Sequence, residues 1–153
     1  RNSVLELNRL CLLNNKKNQA SFLVGNSLKL LPKPSIIVSY ADTKMNHHGY
    51  IYQATNFIYT GLSIKQSDWV LINSNKHGKT ISEKYTLEER KNNPDKFKIV
   101  QRSRKHRYIY FLGDKKQKKE MLGKLNYNIE PYPKGDNKNY EVGHKPTVQG
   151  LLF

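Results

Sequence analysis

"VLELNRLCLLNNKKNQASFLVGNSLKLLPKPSIIVSYA", Val4–Ala41, is the stretch whose reading decides the fold. Its first ten residues alternate as a strand does, with Glu6, Asn8, Leu10 and Leu12 on one face and Leu5, Leu7, Arg9 and Cys11 on the other. "NNKKN" follows as a polar turn. Ala20, Leu23, Val24, Ser27, Leu28 and Leu31 then recur at helical spacing, which predicts a helix over about 19–31. Asn18 is the expected N-cap, and Pro32 and Pro34 stop the helix. "SIIVSYA" is a short apolar strand of the kind buried on both faces of a sheet. Strand, helix and strand in this order predict an α/β protein with helices packed on a sheet.

The rest of the chain extends that pattern. From Gly49 the spacing is helical, with Ile51, Ala54, Phe57 and Ile58 on an apolar face and Tyr52, Asn56 and Tyr59 on another. Gly61 is the expected C-terminal cap. "DWVLINS" and "KTISEKYT", joined by Asn75–Gly78, predict a β-hairpin with a His-Gly turn. Thr86–Lys96 is charged and turn-rich. "FKIVQ" and "HRYIYFLG" are predicted strands, and a basic helix is predicted over about 115–125. "NYNIEPYP" is extended, and the tail after Lys134 is polar without periodicity.

The chain has 153 residues, 37% of them apolar and 10% aromatic, enough for the core of about one domain. Lys and Arg total 27 against 12 Asp and Glu, a net charge of +15. That excess concerns partners rather than fold, and it points to a polyanion, above all nucleic acid. The competing explanation is a solubilising surface from a proteome rich in Lys and Asn. One cysteine, Cys11, excludes an internal disulfide and fits a reducing, cytoplasmic setting. Flanked by leucines, it is expected to be a buried small hydrophobe. No apolar run approaches the roughly 20 residues of a membrane span. The opening at Arg1, directly in a strand-like pattern, leads us to expect further sequence upstream.

Three places are candidates for chemistry. Asn14–Ser21 joins a strand to a helix N-terminus, whose amides and dipole, with Lys16 and Lys17, suit a phosphate or pyrophosphate. An ordinary capped helix with solvated lysines explains the same residues and, with no glycine in the loop, is the preferred reading of the pattern alone. Ser39, Tyr40 and Asp42 stand at the carboxyl end of a buried strand, where α/β proteins place ligands. His47 and His48 follow, and Gln53 and Asn56 lie close in sequence. A histidine here suits a general base or a metal ligand, although adjacent histidines in a strand would point apart. The third is "QRSRKHRYIYF", Gln101–Phe111, with "KKQKK", Lys115–Lys119. Arg102, Arg104, Lys105 and Arg107 with Tyr108 and Tyr110, then Lys115 and Lys116, suit phosphate contact and base stacking. A solvated strand and helix face is the plainer alternative.

Taken together, "LELNRLCLLNNKKNQASFLVGNSLKLL", "SIIVSYADTKMNHHGYIYQATNFIYTG" and "KHRYIYFLG…PYPKGDN" resemble the phage Mom family. These are DNA adenine-modifying proteins built on an acetyltransferase (GNAT) fold. The similarity runs to about Asn137. Its most specific part is the Ser-Tyr-Ala-Asp strand followed by His-x-Gly-x-Ile-Tyr-Gln-Ala.

The resemblance implies a single GNAT-like domain over 1–137, with 101–137 a basic strand-helix extension and 138–153 a polar tail. It implies transfer to the N6 amine of adenine in double-stranded DNA, a carbamoylmethylation that protects phage DNA from restriction in the host cytoplasm. Acetyl-CoA or a related acyl-CoA is the implied cofactor, and iron has been associated with the chemistry. Lys16, Lys17, Asn18, Ala20 and Ser21 would then hold the pyrophosphate. "SIIVSYA" would be the strand that splays away to admit the pantetheine arm. Asp42 and His47 would act at the reaction centre, lined by Tyr52, Asn56 and Tyr59 from a helix. Arg102, Arg104, Lys105, Arg107, Tyr108, Lys115 and Lys116 would hold DNA.

Three departures accompany this. The glycines of the common pyrophosphate loop are absent, and the usual helix tyrosine falls on Phe57, so that the general-acid role moves to Tyr59 or Tyr52, or lapses. A His-Tyr-Ser stretch and the first elements of the fold are expected upstream of Arg1. His47 matches the His-x-Gly pattern, so substitution of His48, in the variable place, is expected to be tolerated. Two other readings stand beside this one. They are a GNAT acyltransferase acting on a protein or small-molecule amine, and a non-catalytic DNA-binding remnant.

Overall fold

The structure is a computed structural model that describes residues 3–14, 16–74 and 76–135. It is mixed α/β, as the alternation of periods requires. The chain divides into two compact units. One takes in the chain up to Ser63 and from Lys105 onward, and the other is Ile64–Arg104.

The first unit is built on a four-stranded mixed sheet. Its strands are β1 (Ser3–Glu6), β2 (Ser35–Asp42), β3 (Ile58–Leu62) and β6 (Lys105–Leu112), in the spatial order β1-β2-β6-β3. β1 and β2 are parallel, and β6 runs antiparallel to both β2 and β3. Helix α1 (Gln19–Lys29) makes the crossover between the two parallel strands, as such a connection demands.

The alternation in Val4–Leu13 is realised as a ladder only through Glu6, which pairs with Val38. The Leu7 N–H then donates to the Val38 carbonyl at 2.9 Å, and the Ser39 hydroxyl donates to the Leu7 carbonyl at 2.8 Å. Beyond that the chain leaves the sheet while β2 runs on to Asp42. Cys11 is exposed rather than buried, because the strand that would have carried it into a core stops five residues earlier.

Helix α1 starts where expected but not as expected. Asn18 is the N-cap residue in a left-handed conformation (φ 63°), and its side chain makes no capping bond. The Ser21 hydroxyl instead donates to the Asn18 carbonyl at 3.0 Å. The last turn tightens, with Leu30 N–H on the Ser27 carbonyl, before Pro32 ends it.

The largest correction falls on Gly49–Gly61. Helix α2 covers only Tyr50–Ala54, and Ile58–Leu62 is strand β3. Asn56 takes a left-handed conformation (φ 62°) that turns the chain, a position an asparagine tolerates better than a bulkier side chain. Ile58, Tyr59 and Thr60 are β-favouring residues, and β6 offers them a ladder that outweighs the helical spacing. Gly61 is therefore no helix cap. It sits at a bulge between Tyr59 and Leu62 with φ 79°, where a Cβ would strike the Glu130 carboxylate.

Alternation along β6 sorts the two sides of the sheet. Tyr108 and Leu112 join Val24, Leu28, Ile37, Ala41, Phe57 and Tyr59 in one core, on the side of α1 and α2. Ile109 and Phe111 pack with Met121 of helix α5 (Lys115–Gly123) in a second core on the opposite side. The sheet is thus the middle layer of three.

The second unit holds a two-stranded antiparallel sheet, β4 (Ser67–Leu71) with β5 (Phe97–Gln101), and helices α3 (Gly78–Lys84) and α4 (Leu87–Asn92). The predicted hairpin between "DWVLINS" and "KTISEKYT" does not form. His77 accepts a hydrogen bond from the Lys79 N–H and caps α3, so the second half of the expected hairpin is helix and β4 pairs with β5. Thr86 and Glu89 close a capping box that begins α4 in the segment read as turns.

Candidate functional site

β6 presents His106, Tyr108 and Tyr110 on one face and Arg107 on the other, as the period of two requires. The first face carries the densest polar-aromatic group among the described residues. Tyr59 of β3 lies opposite Tyr108 in register, and its hydroxyl is 2.8 Å from His106 Nδ1. The His48 ring stands 5.7 Å from that of His106 and 6.0 Å from that of Tyr50.

Tyr108 is fully buried beneath this pair, and its hydroxyl donates to the His48 carbonyl. Gln53 Nε2 reaches three oxygens, the His48 carbonyl (2.9 Å), Tyr108 Oη (3.1 Å) and the Pro133 carbonyl (3.1 Å). Gly49 turns at φ 72° against the Tyr108 ring, where any Cβ would collide. The loop bearing His48 is therefore pinned from below by Tyr108 and Gln53.

A strap closes the group from outside. The Glu130 N–H donates to the Tyr59 carbonyl at 3.1 Å, and the Tyr132 hydroxyl donates to the Phe57 carbonyl at 2.7 Å. Gly135 clasps Tyr50 twice. Its N–H donates to the Tyr50 hydroxyl (3.0 Å), and its carbonyl accepts from that hydroxyl (2.9 Å). A side chain at Gly135 would drive into the His48 ring.

The electrostatics follow from this enclosure. Burial, and after it the neighbouring His48, hold His106 below the ordinary imidazole range. Burial pushes the Tyr108 hydroxyl well above the usual phenol range, against the opposing hydrogen bond from Gln53. Tyr108 is thus a fixed neutral phenol, while His106 is a neutral imidazole near pH 7.

The residues singled out from the sequence distribute unevenly over this geometry. Tyr59 is in the group but on strand β3, not on a helix. Tyr52 of α2 packs against Phe57 and Tyr108 with ring separations of 5.5 and 5.2 Å. Asn56 is exposed at the α2–β3 turn. Asp42 ends β2, and its side chain accepts from the Lys44 N–H at 2.9 Å. His47 is exposed, and it is His48 whose ring enters the group. The structure thus brings into the group the histidine expected to tolerate substitution, His48, and leaves His47 outside it.

Among the residues read as DNA contacts, Tyr108 is buried and offers no ring for a base to stack on. Arg107 lies on the opposite face of β6. It donates to Thr60 Oγ1 (2.9 Å) and the Thr60 carbonyl (2.8 Å), and its guanidinium lies 3.5 Å from the centre of the Tyr127 ring. Lys105 is half-buried, while Lys115 and Lys116 are exposed in the first turn of α5. Arg102 and Arg104 belong to the second unit, where Arg102 pairs with Asp68 at 3.2 Å.

Sequence reasoning missed His106 and the inward turn of His48, whereas Gln53, already grouped with the histidines from the sequence, is found in the group. The signal for His106 was available. Once "KHRYIYF" is a strand, His106 and Tyr108 share a face that Arg107 does not, whereas reading the run as one basic patch merged the two faces.

The phosphate-binding reading of Asn14–Ser21 meets a groove at the same end of α1. Asn18, Ser21, Phe22, Gly25 and Leu28 line it from α1, Ala54–Asn56 from the α2–β3 turn, and Tyr110 from β6. It has a volume of about 490 Å³ and is open to solvent. No side chain caps the first turn of α1; the Gln19 N–H donates to the Lys16 carbonyl at 3.2 Å, which leaves the Ala20 and Ser21 amides to face an anion, and Lys16 and Lys17 are exposed beside them. These residues fit the pyrophosphate and arm of an acyl-CoA. Iron is a different matter, since among the described residues no three His, Cys, Asp or Glu side chains gather closely enough to hold a metal ion. Nor is any described helix long and apolar enough to cross a membrane.

No curated protein matches the chain. Residues 1–134, in contrast, match the model of the family described as the Mom protein family. The enclosed histidine–tyrosine group on β3 and β6 is therefore set in a chain that belongs to the Mom protein family, a family of phage DNA-modification proteins.

Proposed function

We propose that the protein modifies the N6 amine of adenine in double-stranded DNA, a Mom-like carbamoylmethylation that protects phage DNA from restriction. The family match over residues 1–134 carries this reading. Three structural features support it. The pairing of β1 with β2 stops at Glu6 while β2 continues to Asp42, which suits the strand arrangement expected of an acyltransferase fold. The groove beside Asn18 and Ser21 is lined as an acyl-CoA needs. The net charge of +15 suits a polyanionic substrate.

In this reading an acyl-CoA-type donor would supply an activated carbon, and the chain's residues do the rest. Lys16, Lys17 and the amides of Ala20 and Ser21 hold the pyrophosphate. The histidine–tyrosine group handles protons, with Tyr52 packed on Tyr108 and Asp42 at the end of β2, one residue past the partner of His106. Exposed Lys115 and Lys116, with Lys105, meet phosphates. Adenine N6 is inside the duplex, so the base is flipped out to react.

Plasmid DNA from cells expressing the chain tests the reading. It is expected to resist restriction enzymes whose sites contain adenine while remaining sensitive to those reading only G and C. Full sensitivity to both, with the protein present and folded, rejects it. That outcome would favour an acyltransferase of the same fold acting on a protein or small-molecule amine, or a non-catalytic remnant.

A further inference from the structure

The group around His106 contains one imidazole nitrogen that the fold leaves unused. Nδ1 is engaged by the Tyr59 hydroxyl, and among the described residues Nε2 has no hydrogen-bond partner. Tyr59 is only 5% exposed, and its ring lies 5.5 Å from His106 and 5.2 Å from Tyr108, so the phenol cannot swing away. A tyrosine O–H donating to Nδ1 fixes the tautomer with the proton on Nε2, whereas Nδ1–H donating to Tyr59 Oη leaves the Nε2 lone pair free. The second arrangement makes Nε2 a base held at one position and aimed by a residue that does not itself react.

The exocyclic amine of adenine is a poor nucleophile because its lone pair is shared with the ring. Its protons become acidic only as the new bond forms, so a proton acceptor of near-neutral pKa at hydrogen-bond range is worth about 10²–10⁴ in rate. We propose that His106 Nε2 accepts the proton released from the acceptor amine, and that Tyr59 is the residue that positions its ring. This deepens the adenine-modification reading and rests on it.

The step balances as follows. The amine nitrogen bonds to the donor's transferred carbon as the bond from that carbon to its leaving group breaks, and the electron pair departs with the leaving group; from an acyl-CoA the leaving group is the thiolate and the product of this step is the N6-acyl adenine. One proton passes from the amine to Nε2. A protonated imidazole could do none of this, and the burial of His106 beside His48 keeps it neutral.

The groups that face His106 can be named. His48 comes from the loop before α2, Tyr59 from β3, and Tyr108 from two residues along β6. On β2 the residue opposite is Ala41, with Asp42 opposite Lys105 one step on, and on β3 Leu62 stands in register. Burial is the larger cause of the low acidic limb, and His48 is the neighbour that adds to it.

The test is the rate of modified-adenine formation against pH, read by nucleoside mass spectrometry, for the full chain and for His106→Gln, Tyr59→Phe and His48→Gln. The full chain is expected to lose rate below an acidic limb that lies under the ordinary imidazole range. His106→Gln is expected to lose at least 100-fold and the limb with it. Tyr59→Phe is expected to lower the rate while keeping the limb. His48→Gln removes the like charge and is expected to move the limb to higher pH, which reads His106 even if His106→Gln folds poorly.

A His106→Gln protein that folds and keeps its rate within a few-fold, or a limb unmoved in His48→Gln, overturns the proposal and leaves the adenine reading standing. A full chain that makes no modified adenine at any pH overturns both.

Discussion

His48 and His47 are adjacent, and the fold treats them oppositely. His47 projects into solvent, whereas the His48 ring is set between His106, Tyr50 and the backbone of Gly135. Replacing His47 by Ala is expected to change stability by no more than about 0.5 kcal/mol and to leave DNA modification intact. His48→Ala empties a packed position and removes the imidazole beside the proposed base, and is expected to abolish modification. Denaturation midpoints and nucleoside analysis of the two variants check this, and the reverse pattern would return His47 to the centre.

His106 also gives stability a pH dependence. Its folded pKa lies below the unfolded value of roughly 6.5, so the unfolded chain binds the proton more readily. This contribution is intact above about pH 6.5 and is lost as pH falls from there through the folded pKa. Urea midpoints between pH 7.5 and 5 are expected to fall for the full chain and to fall less for His106→Asn. These placements were only partly legible in the sequence. The alternation of "KHRYIYF" puts His106 and Tyr108 on one face, but nothing local says that Gly135, some thirty residues later, folds back onto His48.

Among the elements, α5 separates stability from function by sign. Asp114 caps it by accepting from the Gln117 N–H (2.8 Å), and Gln117 Oε1 accepts in turn from the Asp114 N–H (2.9 Å). Asp114→Ala is expected to cost about 1 kcal/mol. Lys115 and Lys116 follow in the first turn, where the helix dipole is positive and disfavours them. Changing both to Glu is expected to stabilise the protein by a few tenths to about 1 kcal/mol while weakening duplex binding, and urea melts with fluorescence-anisotropy titrations measure the two effects. Equal or tighter binding would show that these lysines are only a solvated face.

The same contrast explains which elements the sequence revealed. α1, β2, β5, β6 and α5 carry local signals that agree with their partners, and they form as read. β3 carries a helical spacing that a waiting β6 edge overrides, and "KTISEKYT" carries strand-like residues that His77 caps into helix. β1 shows the converse, with a sound alternation whose ladder ends at Glu6 although its partner β2 runs on to Asp42.

For the whole molecule, the charge of +15 governs how it meets DNA. Duplex affinity is expected to fall linearly with the logarithm of salt concentration, and each lysine removed from the contact lowers the slope by about 0.9. A salt-independent affinity would contradict a phosphate-dominated interface.

The central claim is that this Mom-family chain alters adenine in DNA, and the most direct measurement is mass spectrometry of nucleosides from DNA isolated after expression of the chain. The account predicts a deoxyadenosine species with the mass of a carbamoylmethyl adduct, present with the full chain and absent with His106→Gln. Deoxyadenosine that stays wholly unmodified in the presence of the intact, folded protein would contradict it.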